Sequence, residues 1–145
     1  PEQHPESQGI TADISFIKAK IDVGADQIIT QFSFENQNYI KYRDTLVSQG
    51  INMPIIPGIM LIKSFNGIKN MSRKIGIKVP NWVDKIIEKE SEETQKIIAE
   101  DFAITQSEEL EKNGFEQLHF YTLNESEIMI NISKHLGFHT KNNIA

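Results

Sequence analysis

The stretch QIITQFSFENQNYIKYRDTLVSQGINMPIIPG, residues 27–58, contains two short apolar runs separated by a polar segment of helical length. The first run, residues 27–32, includes an Ile pair and is expected to form a strand that is apolar on both faces, as parallel strands usually are. The second strand is expected over residues 53–58, where Pro54 lies near the start and Pro57-Gly58 ends it. A strand, a helix and a strand in this order predict one βαβ unit of a parallel sheet.

The same alternation continues on both sides of this unit. Upstream, Ile14, Ile17 and Ile21 recur at helical spacing, so they predict a helix capped by Thr11 and ended by Gly24. Downstream, a third strand is expected over residues 116–122. The other helices are expected over residues 36–49, 64–75, from Pro80, from the acidic stretch 88–93 to residue 113, and 124–137.

Apolar residues at a spacing of three and four indicate which faces of the later helices are buried. These residues are Trp82, Val83 and Ile86, then Ile97, Ile98, Phe102 and Leu110, then Ile128, Ile132 and Leu136. Asn36 is expected to cap the second helix, and Asn124 with Glu127 fits a capping box for the last one. The helices therefore have both the caps and the apolar faces needed to pack on a sheet.

Three strands, each followed by helix, make up about half of a (β/α)8 TIM barrel, which usually takes about 250 residues. We therefore expect a fragment with two open sheet edges, in which Ile28, Ile55 and Phe120 form the inward layer. Residues 1–137 are assigned to this partial barrel, and residues 138–145 to a polar tail.

Composition excludes several classes of function. The chain has 145 residues, a formal charge of -5 and no Cys, so it offers no basic excess for nucleic acid or an anionic membrane and no disulfides. No apolar run approaches the roughly 18 residues that span a bilayer, so a cytoplasmic location is expected. His135 and His139 have the spacing of a metal pair, but Gly137 lies between them and interrupts the helix, so no metal site is predicted.

Polar residues at the carboxyl ends of the strands are the candidates for a site, because barrel enzymes work at that face. These ends carry Thr30-Gln31, Pro57-Gly58 and Tyr121-Thr122. The alternative is that these residues only lead into the helix caps.

Four segments occur in the order and spacing of a known family. They are PEQHPES at 1–7, ADQIITQFSF at 25–34, PIIPGIM at 54–60 and LHFYTLN at 118–124. Together they resemble the catalytic barrel of methylenetetrahydrofolate reductase from its fifth strand onward. The resemblance implies a flavoprotein oxidoreductase of one-carbon metabolism, which passes hydride from NAD(P)H through FAD to 5,10-methylenetetrahydrofolate and gives 5-methyltetrahydrofolate. It does not choose between NADH and NADPH, and the oligomeric state, a homo-oligomer included, stays open.

The resemblance implies that His4 and Ser7 line the FAD and that Asp13 and Lys20 reach it from the next helix. Asp13 and Lys20 are seven residues apart, hence on one helix face and about 10 Å apart along its axis. Lysine suits a diphosphate, and a carboxylate accepts from ribose hydroxyls. The alternative is a solvated helix face.

By the same resemblance, Gln31 contacts the pterin of the folate and Tyr121 lines the substrate site. For Tyr121 the alternative is an interior aromatic residue whose hydroxyl bonds a neighbour. Glu125 stands where the family usually has an arginine that engages the substrate, so the charge is reversed. The family's glutamate general acid and flavin-side aspartate belong to the first half of the barrel, so no catalytic residue is assigned here. A non-catalytic binding module and a flavin barrel of other specificity are therefore the rival functions.

Overall fold

A computed structural model describes residues 9–124 and 126–137 of the chain. It contains the three strand–helix units expected from the sequence, arranged as a mixed α/β structure. In chain order the elements are α1 (Ile10–Asp22), β1 (Ile28–Phe32), α2 (Asn36–Ser48), β2 (Ile55–Met60), α3 (Phe65–Ile75), α4 (Asn81–Lys89), α5 (Glu92–Lys112), β3 (His119–Tyr121) and α6 (Ser126–His135).

The three strands form one parallel sheet in the order β1-β2-β3. Register partners are Ile28 with Ile55, Ile29 with Ile56, Gly58 with His119, and Met60 with Tyr121. An irregularity interrupts the register of β1 between Ile29 and Phe32. The described residues thus show a parallel α/β unit of the kind that builds a barrel, and β2 is its central strand.

The helices cover the face of the sheet that carries Ile55, Ile59 and Phe120. These side chains pack in one cluster with residues of α2, α5 and α6, among them the fully buried Leu110 and Ile132. The expectation of Ile28, Ile55 and Phe120 as an inward layer is therefore wrong. Strand residues alternate between faces, so the opposite face carries the neighbours of these residues instead. Those neighbours are Ile29, Ile56, Gly58, Met60, His119 and Tyr121.

β1 is apolar on both faces, as expected, but protein covers mainly the face opposite Ile29. The Ile29 side chain is 47% exposed, whereas Ile28 packs against α1 and α2 in a cluster with Ile14 and Leu46. Within the described residues β1 pairs with β2 alone, so the face of Ile29 has little protein against it.

A second cluster packs at the carboxyl ends of β1 and β2. Phe34, Trp82 and Phe102 form edge-on and tilted ring contacts with centroids 5.1 to 6.3 Å apart. These ring contacts pack α4 and α5 against the end of the sheet. An ion pair between Lys69 and Asp84 joins α3 to α4. The inward positions predicted for Trp82, Val83 and Ile86 are confirmed.

Three predicted caps are wrong. Gly9 occupies the position before α1, so Thr11 lies inside the helix. Asn36 is the first residue of α2 and turns its amide away to α5, donating to the Gln106 carbonyl at 3.1 Å and to Glu109. Asn124 has a φ of 67°, whereas N-cap residues are extended, and α6 begins two residues later.

Ile97 also departs from expectation, because it is 60% exposed while Ile98 and Phe102 pack in the core. The bounds of two strands also differ from the prediction. β2 continues to Met60, beyond Pro57-Gly58, and β3 is shorter than the predicted 116–122. The buried faces predicted for α1 and α6 are confirmed.

Candidate functional site

Gly58 is the point of closest approach among the three strands. A Cβ placed on this residue would lie 2.3 Å from the Thr30 carbonyl oxygen and 2.6 Å from Cε2 of Tyr121. Both separations are shorter than any real contact of a Cβ, so only glycine fits. The ring of Tyr121 thus lies directly against the backbone of β2.

The hydroxyl of Tyr121 donates to the Thr30 carbonyl oxygen at 3.1 Å, on the far strand of the sheet. The Thr30 hydroxyl in turn accepts from the Gly58 amide at 3.1 Å. The Tyr121 ring remains half-buried and stands edge-on to His119, 4.7 Å between centroids. The hydroxyl is therefore satisfied by a neighbour, as in the alternative stated for Tyr121, and the ring is only partly exposed at the carboxyl end of β3.

Gln31 is exposed at the same end of the sheet, one residue after Thr30. Its side-chain oxygen accepts from the following amide, Phe32 N–H, at 3.0 Å. This short loop fixes the carboxamide close to its own backbone. The Nε2 group is then the part of the side chain that is available to a ligand.

A largely apolar cavity of about 250 Å³ lies beyond the carboxyl ends of β2 and β3. It is lined by Leu61, Ile62, Lys63, Ser64, Gly67, Ile68, Met71 and Leu123. Ile68 and Met71 also belong to the cluster that includes Tyr121. Sequence reasoning missed these residues. The available signal was Leu123, an apolar residue of the LHFYTLN segment, which lines this cavity and is 59% exposed.

Asp13 and Lys20 lie on α1. Tyr42 of α2 lies near Asp13 and lines the same cavity as Lys20. Burial raises the pKa of Tyr42, and the nearby Asp13 carboxylate raises it further. Lys20 is exposed and lines a cavity of about 340 Å³ together with Tyr42 and Ile29. Gln27 and Met53 also line this cavity, so it lies at the amino ends of β1 and β2, at the opposite end of β1 from Gln31.

Several predicted positions lie outside the described residues, namely His4, Ser7, Glu125 and His139. Within residues 9–124 and 126–137, no group of three His, Asp or Glu side chains could hold a metal ion. No helix in the described part of the chain is long and apolar enough to cross a membrane.

Comparison with known proteins agrees with the motifs. The family model for methylenetetrahydrofolate reductase matches residues 1–137. The 5,10-methylenetetrahydrofolate reductase of Buchnera aphidicola (subsp. Acyrthosiphon pisum) is 39% identical over 139 residues, and that of Escherichia coli K12 is 35% identical over 139 residues. A protein of Arabidopsis thaliana named methylenetetrahydrofolate reductase (NADH) 1 is 32% identical over 148 residues.

The matches include 94% of this chain in each case, but only 48%, 47% and 25% of the three relatives. The chain thus spans about half the length of the two bacterial relatives. The family match extends from residue 1 through the last described helix and includes all three strands. This chain belongs to the methylenetetrahydrofolate reductase family.

Proposed function

We propose that the chain supplies the folate-binding and part of the flavin-binding half of a methylenetetrahydrofolate reductase barrel. The reaction is reduction of 5,10-methylenetetrahydrofolate to 5-methyltetrahydrofolate, with FAD as cofactor and NAD(P)H as hydride donor. One observation carries the proposal. In a chain of this family, a half-buried tyrosine ring packed on Gly58 and an exposed glutamine side chain lie at the carboxyl ends of parallel strands, where barrel enzymes bind their substrates.

The residues on α1 fit a flavin nucleotide. Lys20 supplies an exposed cation for a diphosphate, and Asp13 supplies an acceptor for ribose hydroxyls. Bound FAD would carry the hydride, and this chain's part is to bind and orient it.

The site at the strand ends fits a folate. An amide such as Gln31 recognises the donors and acceptors on a pterin edge, and the Tyr121 ring offers a flat surface beside it. A folate continues from its pterin into an aryl group, which suits the apolar cavity between Ile68 and Leu123. Glu125, where the family usually has arginine, would stand near the carboxylates of the substrate.

Proton donation to the substrate is assigned to the other half of the barrel. Among residues 9–124 and 126–137 no strand pairs with the outer edges of β1 and β3, so further strands can bind to their backbone groups. The exposed Ile29 face would then be covered by the side chains of those strands. Partner strands in the same or in another polypeptide meet this requirement equally.

Ligand binding tests the proposal. The chain is combined with the preceding half of the Buchnera relative, and the product is called the completed barrel. We expect it to quench the fluorescence of added FAD on binding, and to bind 5-methyltetrahydrofolate afterwards. FAD binding without folate binding would support a flavin barrel of other specificity, and binding of neither ligand would support a non-catalytic module.

A further inference from the structure

A buried tyrosine hydroxyl on α2 holds together the two strands that carry the candidate site. Tyr39 is fully buried. Its hydroxyl donates to the Gly58 carbonyl oxygen at 2.6 Å and accepts from the Ser33 amide at 2.6 Å. One side chain therefore joins the segment after Gln31 to the residue under the Tyr121 ring.

A glutamine of α5 completes this contact from the other side. Gln106 is 4% exposed and donates from Nε2 to the Ser33 carbonyl oxygen at 2.8 Å. Asn38 donates to the Ser33 hydroxyl at 2.8 Å. The amide, the carbonyl and the hydroxyl of Ser33 are thus all held by side chains from helices, a satisfied buried network that fixes one backbone position.

The hydrogen bonds continue to the site without a break. The Gly58 carbonyl oxygen accepts from the Tyr39 hydroxyl, and the Gly58 amide donates to the Thr30 hydroxyl. The Thr30 carbonyl accepts from Tyr121. Gln31 lies between Thr30 and Ser33, the two residues held by these contacts, and its own register with β2 is irregular.

We propose that Tyr39 is a positioning residue for the folate site, with Gln106 as its support. The hydroxyl of Tyr39 sets where the end of β1 lies relative to Gly58, and so sets the distance between the Gln31 amide and the Tyr121 ring. Tyr39 touches no ligand in this account. The inference rests on the proposed function, because it assumes that Gln31 and Tyr121 hold the folate.

The test compares Tyr39→Phe with the unsubstituted completed barrel. Removing the hydroxyl is expected to raise the dissociation constant for 5-methyltetrahydrofolate about tenfold, the change that one lost buried hydrogen bond gives, while FAD affinity stays the same. Ser107→Ala is the matched control, because it removes a buried hydroxyl that bonds within α5, to the Ala103 carbonyl at 2.7 Å. Its folate affinity is expected to stay unchanged.

Gln106→Met provides a second variant if Tyr39→Phe does not fold, since it keeps the side-chain length and removes the donor to Ser33. Hydrogen exchange of the Ser33 amide, measured on the completed barrel, is expected to accelerate in Tyr39→Phe and in Gln106→Met, and not in Ser107→Ala.

The outcomes separate the two proposals. Equal folate affinity in Tyr39→Phe and the unsubstituted protein, with only a fall in stability, would overturn the positioning role and leave the proposed function standing. Absence of folate binding in the unsubstituted completed barrel would overturn the proposed function, and this inference with it.

Discussion

Gly58 is the residue on which the geometry of the strand ends depends most. In Gly58→Ala the new methyl group meets the Thr30 carbonyl oxygen, which is backbone of a paired strand and cannot swing aside. We expect a loss of about 1–3 kcal/mol in the free energy of unfolding, as for overpacked core positions, measured by urea denaturation of the completed barrel.

Gly67→Ala is the control for that substitution. Its Cβ would meet only Ser64, at 3.6 Å, and it lies in the first turn of α3. Alanine favours a helix over glycine by about 0.5–1 kcal/mol, so this variant should gain stability. A Gly58→Ala variant as stable as the unsubstituted chain would contradict the close packing of Tyr121 on β2.

Lys20 tests the flavin assignment on α1. In the completed barrel, Lys20→Ala should weaken FAD binding by about 1–3 kcal/mol through loss of a charge-assisted contact, measured by titrating the apoprotein with FAD. Lys18→Ala removes an exposed lysine from another side of the same helix and should leave the affinity unchanged. Equal affinity in both variants would return Lys20 to the solvated-face interpretation.

Glu125 tests the substrate assignment. A carboxylate near the glutamate tail of a folate repels it, so Glu125→Arg should tighten folate binding by about 1–3 kcal/mol, with a gain that shrinks as salt is raised. Glu127→Arg reverses an acidic charge in the first turn of α6 and is the control. Lower stability in Glu125→Arg, with unchanged folate affinity, would leave Glu125 as a residue that favours a helix N-terminus.

At the scale of elements, the contact between α1 and α2 predicts a dependence on pH. Because Tyr42 has a pKa raised above 10.0, the folded state favours the neutral phenol. Its contribution is complete below pH 10 and is lost as pH rises through the folded pKa. Tyr42→Phe should therefore show a smaller fall in stability above pH 10, measured by urea unfolding below and above that value. An identical fall in both proteins would contradict the burial of Tyr42 beside Asp13.

The elements themselves could be predicted from the sequence where periodicity or glycine determined them. Ile14, Ile17 and Ile21 lie on the buried face of α1, and Gly24, with a φ of 104°, follows that helix as expected. Strand faces could not be assigned, since Phe120 and Tyr121 are both aromatic and only the pairing with β2 shows which one packs against the helices. The cap predicted at Asn36 was wrong for a similar reason. Asparagine suits a cap locally, but the Asn36 side chain donates hydrogen bonds to α5, far along the chain.

The candidate site was predictable only in part. The strand ends and the family motifs led to Gln31 and Tyr121, and the structure places both at one end of the sheet. Tyr39 and Gln106 gave no signal, because their contacts with Ser33 depend on how helices separated in sequence pack together. The apolar cavity between α3 and Leu123 likewise arises from tertiary packing.

At the scale of the whole molecule, the described part of the chain has a packed helix side and a sheet in which β1 and β3 each pair on one edge only. Ile29 at 47% exposure and the unpaired edges of β1 and β3 predict a marginally stable chain that aggregates when isolated. Addition of the preceding half-barrel of the Buchnera relative should raise the melting temperature and suppress aggregation, measured by calorimetry and light scattering. A sharp, reversible transition of the isolated monomeric chain would contradict this expectation.

Flavin reoxidation in the completed barrel tests the central claim most directly. The bound FAD is reduced with NADH or NADPH in the absence of oxygen, and 5,10-methylenetetrahydrofolate is then added while the flavin absorbance is followed. We expect the oxidised flavin spectrum to return and 5-methyltetrahydrofolate to form in equal amount. Flavin that stays reduced after the addition, in a completed barrel that binds both FAD and folate, would contradict this expectation.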